Sequence, residues 1–128
     1  MTSAAQAGTR STRSAAAFLV AQAVAVLGWW VVVFVTRGAR EWFFPYGGLD
    51  PAFVAFLLPD LVLIVGGSLL VARHRLRGTA PPVASGILLG AVVYKTLYTA
   101  AWTFLLHTPP GALIAMGLLT VGTWRACR

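Results

Sequence analysis

Two ionisable residues stand inside stretches of sequence that are otherwise almost wholly apolar: Asp60 within 51–72 and Lys95 within 83–106. A carboxylate and an ammonium in such surroundings can form an ion pair, hold a small ion or pass protons. At the centre of a hydrocarbon layer either residue costs about 2.5–3.5 kcal/mol on insertion scales, and a lysine stem of about 6 Å cannot lift its ammonium from there to water. Both therefore need partners. Asp60 lies nine residues after the start of its stretch and Lys95 eleven before the end of its own. At the rise of an α-helix these are depths of about 14 and 17 Å from the same side. Each is thus the natural partner of the other, and Pro59, which removes one amide hydrogen within its stretch, frees the carbonyl of Ala55 one turn away, an oxygen that can take a second hydrogen bond from Lys95.

At 100° per residue, Lys95 shares a helix face with Ala91, Tyr98, Thr99 and Trp102, whereas Gly86 and Gly90 fall on the opposite face. The first face is expected to turn inward. The second carries a Gly-x-x-x-Gly spacing that lets another backbone approach closely, within the chain or in a second copy. Two readings of the charged pair follow. In one, Asp60 and Lys95 form a structural lock that holds helices in register; in the other they line a path for protons or a small ion, with Gln22, Tyr94, Tyr98 and Thr99 as polar companions.

The elements that must position these residues follow from composition. The chain has 128 residues, 59% hydrophobic and 10% charged, with a mean hydropathy of +0.81. That is more apolar surface than one small water-soluble core can hide. Four apolar stretches, at about 15–36, 51–72, 83–106 and 109–124, are each of membrane-spanning character. The expected fold is an all-α integral membrane protein, an antiparallel bundle of four transmembrane helices with short loops. A polar tail (1–14) precedes this single domain (15–126), and two residues (127–128) follow it. The run 15–35 is longer than a secretory signal core and no small-residue cleavage site follows it, so it reads as an uncleaved first span. Prolines open the other three: Asp50-Pro51, Pro81-Pro82 and Thr108-Pro109. Small residues mark close packing: Ala17, Ala21 and Ala25 in the first span, Gly66, Gly67 and Ser68 in the second, Gly117 and Gly122 in the fourth.

The formal charge of +7 would suggest nucleic acid in a soluble protein, but here the arginines punctuate apolar stretches, so no nucleic-acid partner is expected. Arg10, Arg13, Arg73, Arg75, Arg77, Arg125 and Arg128 collect on one side of a four-span arrangement. The positive-inside rule makes that side cytoplasmic and puts both termini there, in an inner or plasma membrane. Arg73, Arg75 and Arg77 are candidates for lipid headgroup contact. Trp42, Phe43, Phe44 and Tyr46 fall in the first loop, as an interfacial aromatic belt or else as a lid or partner surface.

Other chemistries lack their residues. Cys127 is a lone cysteine, and His74 and His107 lie at opposite ends of the spans and cannot share a haem iron. Neither a metal cluster nor a phosphate-binding loop nor a nucleophile motif is present in the sequence, and three acidic residues offer few general bases. No cofactor or metal is expected. In length and span number the chain is similar to small multidrug transporters, which work as paired four-helix subunits with a carboxylate in the first span. It departs from them at the deciding position, since its first span offers Gln22 and its buried acid is Asp60 in the second. The expectation is a small non-enzymatic, structural or accessory membrane protein that works through helix association, as a homodimer or with a larger membrane partner. The alternative is a proton-coupled or ion-conducting transporter using Asp60 and Lys95.

Overall fold

The computed structural model describes residues 2–39, 51–79 and 81–128. Trp42, Phe43, Phe44 and Tyr46, and with them the belt-or-lid question, lie outside the described residues. Among the described residues four principal helices stand out: α1 (Thr2–Val35), α2 (Leu57–Leu76), α3 (Pro82–Leu106) and α4 (Gly111–Cys127). A short helical turn, Pro51–Val54, leads into α2. No strand occurs among the described residues. Within α1, α2 and α3, the segments Ser11–Val35, Leu57–Leu76 and Pro82–Leu106 are long and apolar enough to cross a membrane. The fourth helix is apolar but has 17 residues, about 25 Å of rise.

Sequence-level boundaries shift in three places. The polar segment 1–14, expected as a tail, is helical from Thr2 and continuous with the first span. Its alanines, glutamine and arginines are good helix formers, so nothing in the composition stops the helix at residue 15. The second span starts as a long helix at Leu57 rather than Pro51 and runs on to Leu76. Helix α4 starts at Gly111, after Pro110 as its cap, two residues beyond the Thr108-Pro109 signal. The connections have local causes. Gly78 takes φ +72 between α2 and α3, a left-handed conformation that suits glycine, and Pro82 then fixes the first residue of α3. His107, at φ 52, ends α3 in the left-handed region.

Buried residues on α1 recur as Ala16, Leu19, Ala23, Val26, Trp30 and Val33. This alternation of three- and four-residue steps is the seam of a helix packing along its length. The row Ala17, Ala21 and Ala25, expected as the packing stripe, is exposed instead. A strict four-residue repeat drifts around the helix, and the larger side chains of the seam bury more surface. Helix α1 packs on α2 and α4, and α3 packs on the same two helices, so the four close a ring. Neighbours run in opposite directions: from Gln22 to Trp30 along α1, the hydrogen-bonded partners on α2 step back from Ser68 to Asp60. Likewise Gly67 faces Leu88 while Asp60 faces Lys95, so α3 opposes α2.

Gly122 permits close approach, since a Cβ there would collide with the ring of Phe18, whereas one on Gly67 would rest in ordinary contact 3.4 Å from Leu88. Gly86 and Gly90 differ: both are exposed and a Cβ there would meet nothing within 4 Å. Among the described residues they meet no other helix, because the wheel that turns Lys95 inward turns them out. Helix α2 also departs from regular winding, with a π-helical stretch, Asp60–Gly66, that begins directly after Pro59.

Candidate functional site

Lys95 on α3 and Asp60 on α2 meet at 3.0 Å between Nζ and Oδ2. Both are buried, at 8% and 5% exposure. The same carboxylate oxygen accepts a hydrogen bond from Nε1 of Trp30 on α1, also at 3.0 Å. One oxygen atom thus joins three helices. The ammonium lies 4.7 Å from the ring centroid of Phe56 and 5.7 Å from that of Trp30, within the range where a ring quadrupole attracts a cation. Phe56 in turn meets the ring of Tyr98 in a tilted arrangement, centroids 4.2 Å apart, and Tyr98 stacks on Trp102 at 6.1 Å. The charge is therefore enclosed by a carboxylate and by aromatic faces, the environment that lowers the cost of keeping an ammonium away from water.

Beside the pair lies a cavity of about 240 Å³. Asp60, Lys95, Tyr98, Thr99 and Trp102 contribute to one part of its wall, and Thr103 and Thr108 continue it toward the end of α3. The remaining wall is apolar, from Val26 and Trp29 on α1 to Ala112, Ala115, Met116 and Leu119 on α4. The Thr99 hydroxyl donates to the carbonyl of Lys95 at 2.8 Å. Tyr98 and Thr99, expected on the face of Lys95, are found there. Tyr94 points outward, 61% exposed.

Gln22 belongs elsewhere. Two turns along α1 from Trp30, it donates to Ser68 on α2 at 3.1 Å and accepts from Thr123 on α4 at 2.6 Å. All three are buried. The grouping of Gln22 with Asp60 and Lys95 is therefore corrected: eight residues of helix separate it from Trp30, about 12 Å, and antiparallel packing brings Ser68 rather than Asp60 to its level. A further polar contact joins α3 to α4, where the hydroxyls of Thr96 and Thr120 lie 2.8 Å apart, each also within reach of the Met116 carbonyl. Small hydroxyls bonded to their own helix backbone can sit in an apolar interface without stranding a donor.

At the Gly78 end the three loop arginines divide. Arg73 and Arg77 are exposed, while Arg75 turns its Nε and Nη2 inward, next to Ser85 and Cys127. Headgroup contact therefore suits Arg73 and Arg77 better than Arg75. Burial pushes the Cys127 thiol up, against the opposing influence of the Ser85 hydroxyl and the Arg75 guanidinium. His74 is held by Thr79, with Nδ1 3.0 Å from its hydroxyl. Among the described residues no three His, Cys, Asp or Glu side chains gather as a metal site.

Trp30 and Phe56 are the members of the site that the sequence reading passed over. A signal existed for Trp30, because an indole N–H deep in an apolar span needs an acceptor and Asp60 is the acid nearest in depth. No protein-family model, curated protein or solved structure matches this chain.

Proposed function

We propose that the chain is a small non-enzymatic membrane protein: a bundle of four transmembrane helices, both termini cytoplasmic, in an inner or plasma membrane. It serves as a structural or accessory component through helix association, and the Asp60–Lys95–Trp30 cluster is its lock. The observation that carries this reading is the convergence of an indole N–H from α1 and an ammonium from α3 on one oxygen of Asp60. Such a cluster satisfies its own charges and ties three helices at one level.

Outward-facing side chains support α4 as the fourth span. Ile114 and Leu118 are 60% and 69% exposed on α4, as Leu97 and Phe104 are 65% and 73% exposed on α3. An apolar exterior of this kind suits lipid on every side. Trp124 and Arg125, at the end of α4, match a headgroup layer. The exposed Gly86–Gly90 strip is the surface on which a second copy or a larger membrane protein would pack.

A second reading, a proton-coupled or ion-conducting transporter, draws on the cavity that reaches Asp60 and Lys95. Purified protein in sealed liposomes separates the two. A lock gives proton and cation leak equal to that of empty vesicles; a pathway gives flux that is lost in Asp60→Leu, in Lys95→Leu and in the double variant. Sidedness is tested with single cysteines at Gly48 and Gly78 in a Cys127→Ser background. They should label from opposite faces of sealed cells, and labelling from one face would end the four-span reading.

A further inference from the structure

The cavity beside the ion pair has a composition that selects an occupant. We propose that it is a binding site for a neutral, flat, mainly apolar molecule of one or two rings. The proposal holds under either functional reading, since it requires neither ion flux nor a protein partner.

Size sets the first limit. The volume of about 240 Å³ exceeds the roughly 150 Å³ of an engineered apolar cavity that accepts benzene and falls below the roughly 300 Å³ at which drug-sized sites begin. Wall chemistry sets the second. Trp29, Tyr98 and Trp102 supply ring faces, while Ala25, Ala112 and Ala115 supply only methyl groups and so leave room. Planar guests gain from stacking against such rings, and the unbranched thioether of Met116 can adjust to their outline. Charge sets the third. The pair contributes two opposite formal charges 3.0 Å apart, so the wall is neutral overall and a charged guest would lose its hydration without a counter-charge. The Lys95 Nζ is itself covered, by Asp60 and the rings of Phe56 and Trp30, so apolar contact rather than a bond to the ammonium holds a neutral guest.

The test uses the full chain in lipid nanodiscs and 4-bromoacetophenone, a flat aryl ketone whose bromine quenches nearby indoles such as Trp29 and Trp102. Saturable quenching above that of a soluble indole in empty nanodiscs is expected for the native chain. Ala115→Phe, which fills the cavity, should weaken it by about tenfold or more. Leu118→Phe, at a position 69% exposed on the same helix, should leave it unchanged. The hydrocarbon 4-bromoethylbenzene, equal in outline but without the oxygen, should bind comparably to the ketone, because the ammonium is covered. Should Ala115→Phe fail to assemble by circular dichroism, Ala25→Phe fills the cavity from α1. Non-saturating quenching, or equal quenching in native and filled variants, would overturn the site. A strong preference for the ketone over the hydrocarbon would overturn the apolar character of the site.

Discussion

Replacing Lys95 with leucine removes the ammonium 3.0 Å from Asp60 and leaves a buried carboxylate with the Trp30 indole beside it. Removing one partner of a buried pair costs about 3–5 kcal/mol, roughly a 100- to 4,000-fold loss in the folding equilibrium. Asp60→Leu should cost a similar amount, because it isolates the ammonium and takes the acceptor from Trp30. The double leucine variant carries neither charge. Its remaining defect is the Trp30 N–H without its acceptor, worth about 1–3 kcal/mol. The two substitutions together should therefore cost less than either alone, with a coupling of about 3 kcal/mol or more. Pairing Asp60→Asn with Lys95→Leu returns an oxygen to the indole and should recover most of what the double leucine variant loses. Unfolding in mixed micelles by increasing SDS fraction, followed by circular dichroism and tryptophan fluorescence, reads all four. Additive losses, with the double variant as poor as the two singles combined, would refute the lock.

Gly122→Ala should destabilise by about 1–3 kcal/mol through collision with Phe18, with Phe18→Leu restoring part of the loss in the same unfolding assay. Gly86→Ile combined with Gly90→Ile faces open space and should change monomer stability by no more than about 0.5 kcal/mol, while abolishing a crosslinked dimer if self-association uses that strip. An unchanged dimer counts against the strip. Gln22→Leu removes two bonds, to Ser68 and Thr123, and should cost about 1–3 kcal/mol, at an average of about 0.6 and a maximum of about 1.7 kcal/mol for each bond between membrane helices. For Cys127, burial disfavours the thiolate. The pH at half-maximal maleimide labelling should therefore lie higher in the folded chain than after SDS denaturation, and Arg75→Ala, which removes a cation favouring the thiolate, should raise it further. Equal midpoints before and after denaturation would contradict the burial.

Formal charges in apolar stretches are conspicuous, and depth counting from the span ends was enough to bring Asp60 and Lys95 to one level. The same counting applied to Gln22 gives about 21 Å from the end of the first span, against about 14 Å for Asp60. The distance between the two clusters was thus legible. Trp30 was harder to see, since tryptophan in a span also marks the interface and the residue type does not distinguish a belt from a buried donor. The packing face of α1 could not be read from small residues alone. Ala16 and Ala23 are buried, Ala17 and Ala21 exposed, and the choice depends on where Leu19, Val26 and Val33 find partners. The cavity had no sequence signature, because it depends on how four helices lean together and not on the residues that line it.

The π-helical stretch of α2 bears on how this chain tolerates changes of length. Asp60 and Ser68 are eight residues apart, and in regular α-helix they would point about 80° apart. Yet both meet α1, at Trp30 and at Gln22, which are themselves eight apart on the buried side of that helix. Wider winding fits more residues into each turn and takes back part of that angle, so the segment behaves nearly as a heptad carrying one surplus amino acid. Deleting a single outward residue there, such as Val62 at 60% exposure, should let the segment rewind as ordinary helix with both attachments intact. The same excision from the middle of α3 would rotate Lys95 out of line with its neighbours; slack of this sort exists in one span and not in the other.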